Sequence, residues 1–183
     1  MNAIETEYEV DVTVAMQTNG CGRPSASPVR QDAVAIVTGG SVGAGREIAR
    51  ELARWDWAIV VVYLEHQRTI EATVAEILAA EGKIVAVRAD LADDLDVRRL
   101  FRESGAAFGG VDVVVHTTAE SPSLLYQYAA HHVRPLGLIV SVAPADRVTP
   151  GVAHHLRERG ISAGSASPEG VLAFLNKWRQ HVC

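Results

Sequence analysis

The sequence predicts an α/β protein in three layers: a doubly wound parallel sheet of about six strands with helices on both faces, preceded by an N-terminal extension. Three observations carry that expectation. From Ala33 onward, short apolar runs alternate with segments of helical spacing. The first five runs are continuously apolar rather than alternating, as strands covered on both faces are. The connections are short, which suits right-handed βα crossovers.

The strand-like runs are residues 33–38 (AVAIVT), 58–63 (AIVVVY), 84–88 (IVAVR), 111–116 (VDVVVH), 138–142 (LIVSV) and 160–164 (GISAG). Between them, residues 44–55, 69–80, 95–107, 124–132 and 152–159 carry apolar side chains three and four apart, the period of a helix with one buried face. Residues 168–181 close the chain as a sixth helix, with Pro168 near its first turn, where a missing N–H costs nothing. Residues 1–31 differ in character. Tyr8, Val10, Val12 and Val14 alternate with Glu7, Glu9, Asp11 and Thr13, a period of two that reads as a half-buried strand with an acidic outer face. A Gly/Pro/Ser-rich linker over 19–28 follows, so the extension is placed at 1–31 and the domain at 32–183.

With 183 residues, 48% of them hydrophobic, the chain has material for one well-buried core. Seventeen basic against twenty-two acidic residues leave a net charge of −5, which argues against nucleic acid or an anionic membrane as partner. No apolar run approaches the roughly 20 residues of a spanning helix, and the acidic N-terminus is unlike a secretory signal. Cys21 and Cys183 form no CxxC or metal pattern, so the expected location is cytoplasmic, with both thiols reduced. The expected partner is a small-molecule substrate or ligand. The extension could also pair with another copy, which leaves a homo-oligomer open.

The most specific motif is Thr38-Gly39-Gly40-Ser41-Val42-Gly43-Ala44-Gly45, directly after the first strand and opening a helix. Glycine lets the backbone turn tightly and approach a pyrophosphate, whose charge then meets the free N–H groups of the helix N-terminus. Beside this loop, the stretch 75–93 (AEILAAEGKIVAVRADLAD) and the run 108–115 (FGGVDVVV) complete a pattern that resembles the N-terminal half of the short-chain dehydrogenase/reductases, from about Ala33 to His116. That resemblance implies a Rossmann-type fold and a nicotinamide dinucleotide. It also implies that Gly39, Ser41, Gly43 and Gly45 line the cofactor phosphates while Asp90 and Leu91 border the adenine. Asp90 reads equally well as a turn or helix N-terminal carboxylate.

Cofactor preference turns on the end of the second strand, where an acidic residue would bind both ribose hydroxyls and repel a 2′-phosphate. Tyr63 stands there, followed by His66 and Arg68, which could face a 2′-phosphate, so NADP is favoured over NAD. Glu65 and Val42 pull the other way, and Arg68 also reads as a solvated first-turn residue.

The resemblance fails at the chemistry. The family's phenol needs a Lys four residues on to lower its pKa, together with a Ser and an Asn, and no Tyr-x-x-x-Lys follows the fifth strand here. The expected Asn-Asn-Ala-Gly reads His116-Thr117-Thr118-Ala119, and the position of the Ser falls on Ala143 or Pro144. His155 and Arg159 are the only four-spaced polar pair of comparable type on the shortened helix. His116, at a strand's C-terminal end, and Tyr128, spaced i,i+4 from His132, are the candidate acid/base residues. The doublets His131-His132 and His154-His155 offer one ligand each to a given site, so no metal is expected. Ser141 lies inside a strand and reads as structural. The expected function is an atypical NADP(H)-dependent oxidoreductase of a small carbonyl or hydroxyl substrate. Non-redox acid/base chemistry (cyclisation, dehydration or isomerisation) and non-catalytic binding are its alternatives.

Overall fold

The computed structural model describes residues 33–119, 123–142 and 149–181. The extension at 1–31, Cys21, Cys183 and the Ala143/Pro144 position lie outside them. Six strands form one parallel sheet: β1 (Val34–Thr38), β2 (Ala58–Tyr63), β3 (Lys83–Arg88), β4 (Val111–His116), β5 (Val133–Ser141) and β6 (Ser162–Ser165), in the order β3-β2-β1-β4-β5-β6. The helices are α1 (Gly43–Arg54), α2 (Gln67–Ala79), α3 (Asp94–Phe108), α4 (Ser123–His132), α5 (Pro150–Glu158) and α6 (Pro168–His181). This is the three-layer, doubly wound fold expected from the sequence.

Successive strand residues point to opposite faces, so each central strand feeds two cores. Ile36, Val114 and Ile139 meet Val97, Leu100 and Phe101 of α3, Leu125 and Ala129 of α4 and Leu156 of α5. Val37, Val115 and Val140 meet Ile48 and Leu52 of α1, Ile70 and Ile77 of α2 and Val171 and Leu175 of α6. Burial on both faces is why those runs carry no polar alternation. β3 departs from that expectation: Lys83, Ala86 and Arg88 are exposed because β3 is an edge strand. The sixth strand begins at Ser162, since Gly160, with φ +65°, ends the turn after α5.

The largest difference is β5, which starts at Val133, five residues before the apolar run. Val111 pairs with Val133 but Val113 pairs with Leu138, so β5 carries a bulge that leaves Leu136 at φ +65°. The bulge is held in place by polar contacts. Arg134 folds back to Asp112, with Nη1 2.8 Å from Oδ2, and the same oxygen accepts from the Val34 backbone N–H at 2.9 Å. Trp178 of α6 donates its indole N–H to the Leu136 carbonyl at 3.1 Å.

Candidate functional site

The strand order reverses between β1 and β4, and the helices that follow them, α1 and α4, pack on opposite faces of the sheet, the place where doubly wound folds receive a ligand. The glycine loop forms one wall. Gly39 sits at φ +64°, a conformation that favours glycine, and a Cβ on Gly45 would run into the Gly39 carbonyl, so α1 approaches the strand end only because residue 45 has no side chain. Thr117 ties the loop after β4 to the loop after β1: its backbone N–H donates to Thr38 Oγ1 at 3.0 Å, and its hydroxyl donates to the Thr38 carbonyl at 2.6 Å.

At the start of α1, Val42 supplies no side-chain cap and the first turn holds no acidic residue. Open space surrounds Gly43, where nothing comes within 4 Å of a built Cβ. Uncapped N–H groups facing open space at a helix N-terminus attract an anion. Ser41, within the loop, is buried. These features fit the pyrophosphate of a dinucleotide.

At the end of β2, Tyr63 is half-buried, and His66 (φ +61°) precedes α2, whose first turn also lacks a side-chain cap and an acidic residue. A cavity of about 560 Å³ is lined by His66, Gln67, Arg68, Thr69 and Glu71. At the end of β3, Asp90 folds into a turn in which Oδ1 accepts from the Ala92 N–H at 2.9 Å, while its own N–H donates to Asp96 Oδ2 at 2.9 Å. That backbone N–H, followed by the charge of Arg99, holds the Asp96 carboxyl below its ordinary range. Leu91 is buried next to this turn. The turn role read for Asp90 is therefore present, and the adenine role stays with the family likeness.

His116 ends β4 and is 1% exposed, with Nδ1 3.1 Å from Thr38 Oγ1 and Nε2 3.5 Å from Thr118 Oγ1. Tyr128 stands on the α3-facing side of α4, where its hydroxyl donates to Asp94 Oδ1 at 3.1 Å and its ring stacks with Phe101 and His132. Burial, and then the Asp94 carboxylate, hold that phenol above its ordinary range. Sequence reasoning passed over Tyr126, two residues earlier on the same helix. It is buried, and its hydroxyl is hydrogen-bonded to Ser141 at the end of β5. The only signal for it in the sequence was its place two residues from Tyr128, which cannot say which phenol turns toward the sheet.

On α5, Arg159 donates to the Ala130 carbonyl at 2.7 Å, and the ring of His155 lies 4.5 Å from that of His131. Both residues of that four-spaced pair thus join α5 to α4. One histidine from each doublet meets the other, but no group of three or more His, Cys, Asp or Glu able to hold a metal occurs among the described residues. No described helix is long and apolar enough to cross a membrane.

Comparison with known proteins places this geometry. A family model described as short chain dehydrogenase matches residues 33–132. An uncharacterized oxidoreductase of Methylorubrum extorquens is 38% identical over 97 residues, covering 53% of this chain and 37% of that protein. A hydroxynaphthalene reductase-like protein of Metarhizium robertsii is 39% identical over 82 residues, covering 45% and 31%. The matches thus span about a third of those curated relatives. Among solved structures, a short chain dehydrogenase from Burkholderia cenocepacia in complex with NADP superposes with a TM-score of 0.60 at 27% identity, covering 74% of this chain and 72% of that one. A blue fluorescent protein from a metagenomic library in complex with NADPH gives 0.59 at 25%, covering 70% of each. On the family match across more than half its length, this chain belongs to the short-chain dehydrogenase family, whose members bind nicotinamide cofactors.

Proposed function

We propose that this chain binds NADP(H) in preference to NAD(H) and serves as an atypical oxidoreductase of a small carbonyl or hydroxyl substrate, with His116 hydrogen-bonding the reacting oxygen. The observation that carries the reading is the uncapped, open N-terminus of α1 behind Gly39 and Gly45. In this reading Gly39, Ser41, Gly43 and Gly45 hold the phosphates and Asp90 and Leu91 border the adenine. Tyr63, His66 and Arg68 face the adenosine ribose, where the cavity at the start of α2 has Arg68 in its wall to meet a 2′-phosphate. Two solved structures of similar fold are complexes with NADP or NADPH, which adds weight to that lean.

A bound nicotinamide supplies hydride chemistry. The chain's own task is to orient the substrate oxygen and hydrogen-bond it. His116 ends β4 beside the glycine loop, and its Nε2 contact to Thr118, at 3.5 Å, is long enough to exchange for a ligand oxygen. Tyr128, the other candidate, has its proton committed to Asp94.

Titration with NADPH and NADH, followed by nicotinamide fluorescence, tests the reading. NADPH is expected to bind at least about tenfold tighter than NADH, a difference of ~1.4 kcal/mol. No binding of either at millimolar concentration overturns it. One observation favours a second reading, binding without redox turnover: His155 and Arg159 of α5 are spent on α4. Dinucleotide binding with no hydride exchange to any of a panel of small aldehydes, ketones and quinones would select that reading.

A further inference from the structure

Thr38, His116 and Ser141 end three neighbouring strands, β1, β4 and β5. Val37 pairs with Val115, and His116 pairs with Ser141. Two residues earlier, Ile36, Val114 and Ile139 all face the core under α3, α4 and α5. Period two therefore puts Thr38, His116 and Ser141 in a row on that same face, as its last layer at the strands' C-terminal ends. From α4, Tyr126 joins the row through its hydrogen bond to Ser141. None of the four is more than 5% exposed.

Groups buried this deeply stay only where their hydrogen bonds are made. Thr38 Oγ1 accepts the Thr117 N–H, and among the contacts of the described residues His116 Nδ1, 3.1 Å away, is the acceptor within reach of its own proton. A ring whose Nδ1 accepts carries its proton on Nε2, on the side of Thr118. Ser141 flanks the imidazole from β5, and Tyr126 anchors Ser141. Burial holds the Tyr126 phenol above its ordinary range, partly offset by Ser141, so it keeps its proton across neutral pH.

We propose that Thr38, Ser141 and Tyr126 are positioning residues that hold His116 as the neutral tautomer with its proton on Nε2, making His116 a hydrogen-bond donor to the reacting oxygen rather than a cation. The proposal rests on the reading of His116 given above, and it assigns Tyr126 and Ser141 a part in the site.

Long-range proton–nitrogen spectra of the ¹⁵N-labelled full chain at neutral pH test it, with His116 assigned by its loss in His116→Gln. The expected spectrum has Nδ1 as an acceptor and Nε2 protonated. Thr38→Val should shift the tautomer ratio toward Nδ1–H by roughly fivefold, the worth of one ordinary hydrogen bond. Tyr126→Phe and Ser141→Ala should shift it in the same direction, and Ser141→Thr, which keeps the hydroxyl, should restore it. An imidazolium or an Nδ1–H ring in the unmodified chain overturns the proposal. So does an unchanged ratio in folded Tyr126→Phe, which removes a single oxygen. The readout needs no substrate, so failure of NADPH to bind while the Nε2–H ring persists would count against the proposed function and not against the tautomer.

Discussion

The two halves of the sheet solve different problems with similar elements. On the β3-β2-β1 side, α1 and α2 begin without side-chain caps, and the loop glycines bring backbone N–H groups to open space. On the β4-β5-β6 side, polar side chains are turned inward and tied: Arg134 to Asp112, Arg159 to the Ala130 carbonyl, Tyr126 to Ser141. The first half leaves its hydrogen-bonding groups available to a ligand, whereas the second spends them on its own scaffold.

The sharpest way to break that contrast is at the joint between the halves. Asp112→Ala removes the acceptor shared by Val34 of β1 and Arg134 of the β5 bulge and leaves a partly buried guanidinium unpaired. It should cost about 3–5 kcal/mol in urea unfolding. A loss under about 1 kcal/mol would mean that the bulge is held by its backbone alone.

Next in size is Gly45→Ala, which drives a methyl into the Gly39 carbonyl. About 1–3 kcal/mol of stability should be lost, together with most dinucleotide affinity. Retained affinity would show that the loop does not form the phosphate site. Arg68→Ala is expected to be milder, lowering the NADPH-to-NADH preference by about tenfold with little change in stability. An unchanged preference would make Arg68 the solvated first-turn residue of the bland reading.

The smallest effect belongs to the tied half. Burial, and then the charges of His131 and Arg159, hold the His132 ring below its ordinary range. The unfolded chain therefore takes up that proton first as pH falls. The neutral ring's contribution is present above the unfolded value of about 6.5 and lost below it. His132→Gln should flatten the pH dependence of unfolding between about pH 7 and 5, and an unaltered slope would assign it to other groups.

Much of this was legible because it depends on local order. The loop from Thr38 to Gly45 declares itself through glycine spacing after an apolar strand, and all six helices lie within two residues of their expected spans. The early start of β5 was not legible, since Arg134-Pro135-Leu136 has no strand period and is held only by Asp112 and Trp178 from distant elements. The site was legible only in part. His116 could be placed at a strand end, but its hydroxyl partners come from 78 residues earlier in one case and from its own loop in the other.

Sequence alone determined the alternation of elements, the glycine loop and the absence of a Tyr-x-x-x-Lys pair, because each depends on residue identity and near-neighbour spacing. The tertiary structure decided how α4 is rotated about its axis. Tyr126 and Tyr128 are two residues apart and so point about 200° apart on a helix. Packing against β5 on one side and α3 on the other brings the first phenol to Ser141 and the second to Asp94. Helix rotation is fixed by the summed burial of Leu125, Ala129 and Ala130 against the sheet and neighbouring helices, a balance that no local spacing encodes.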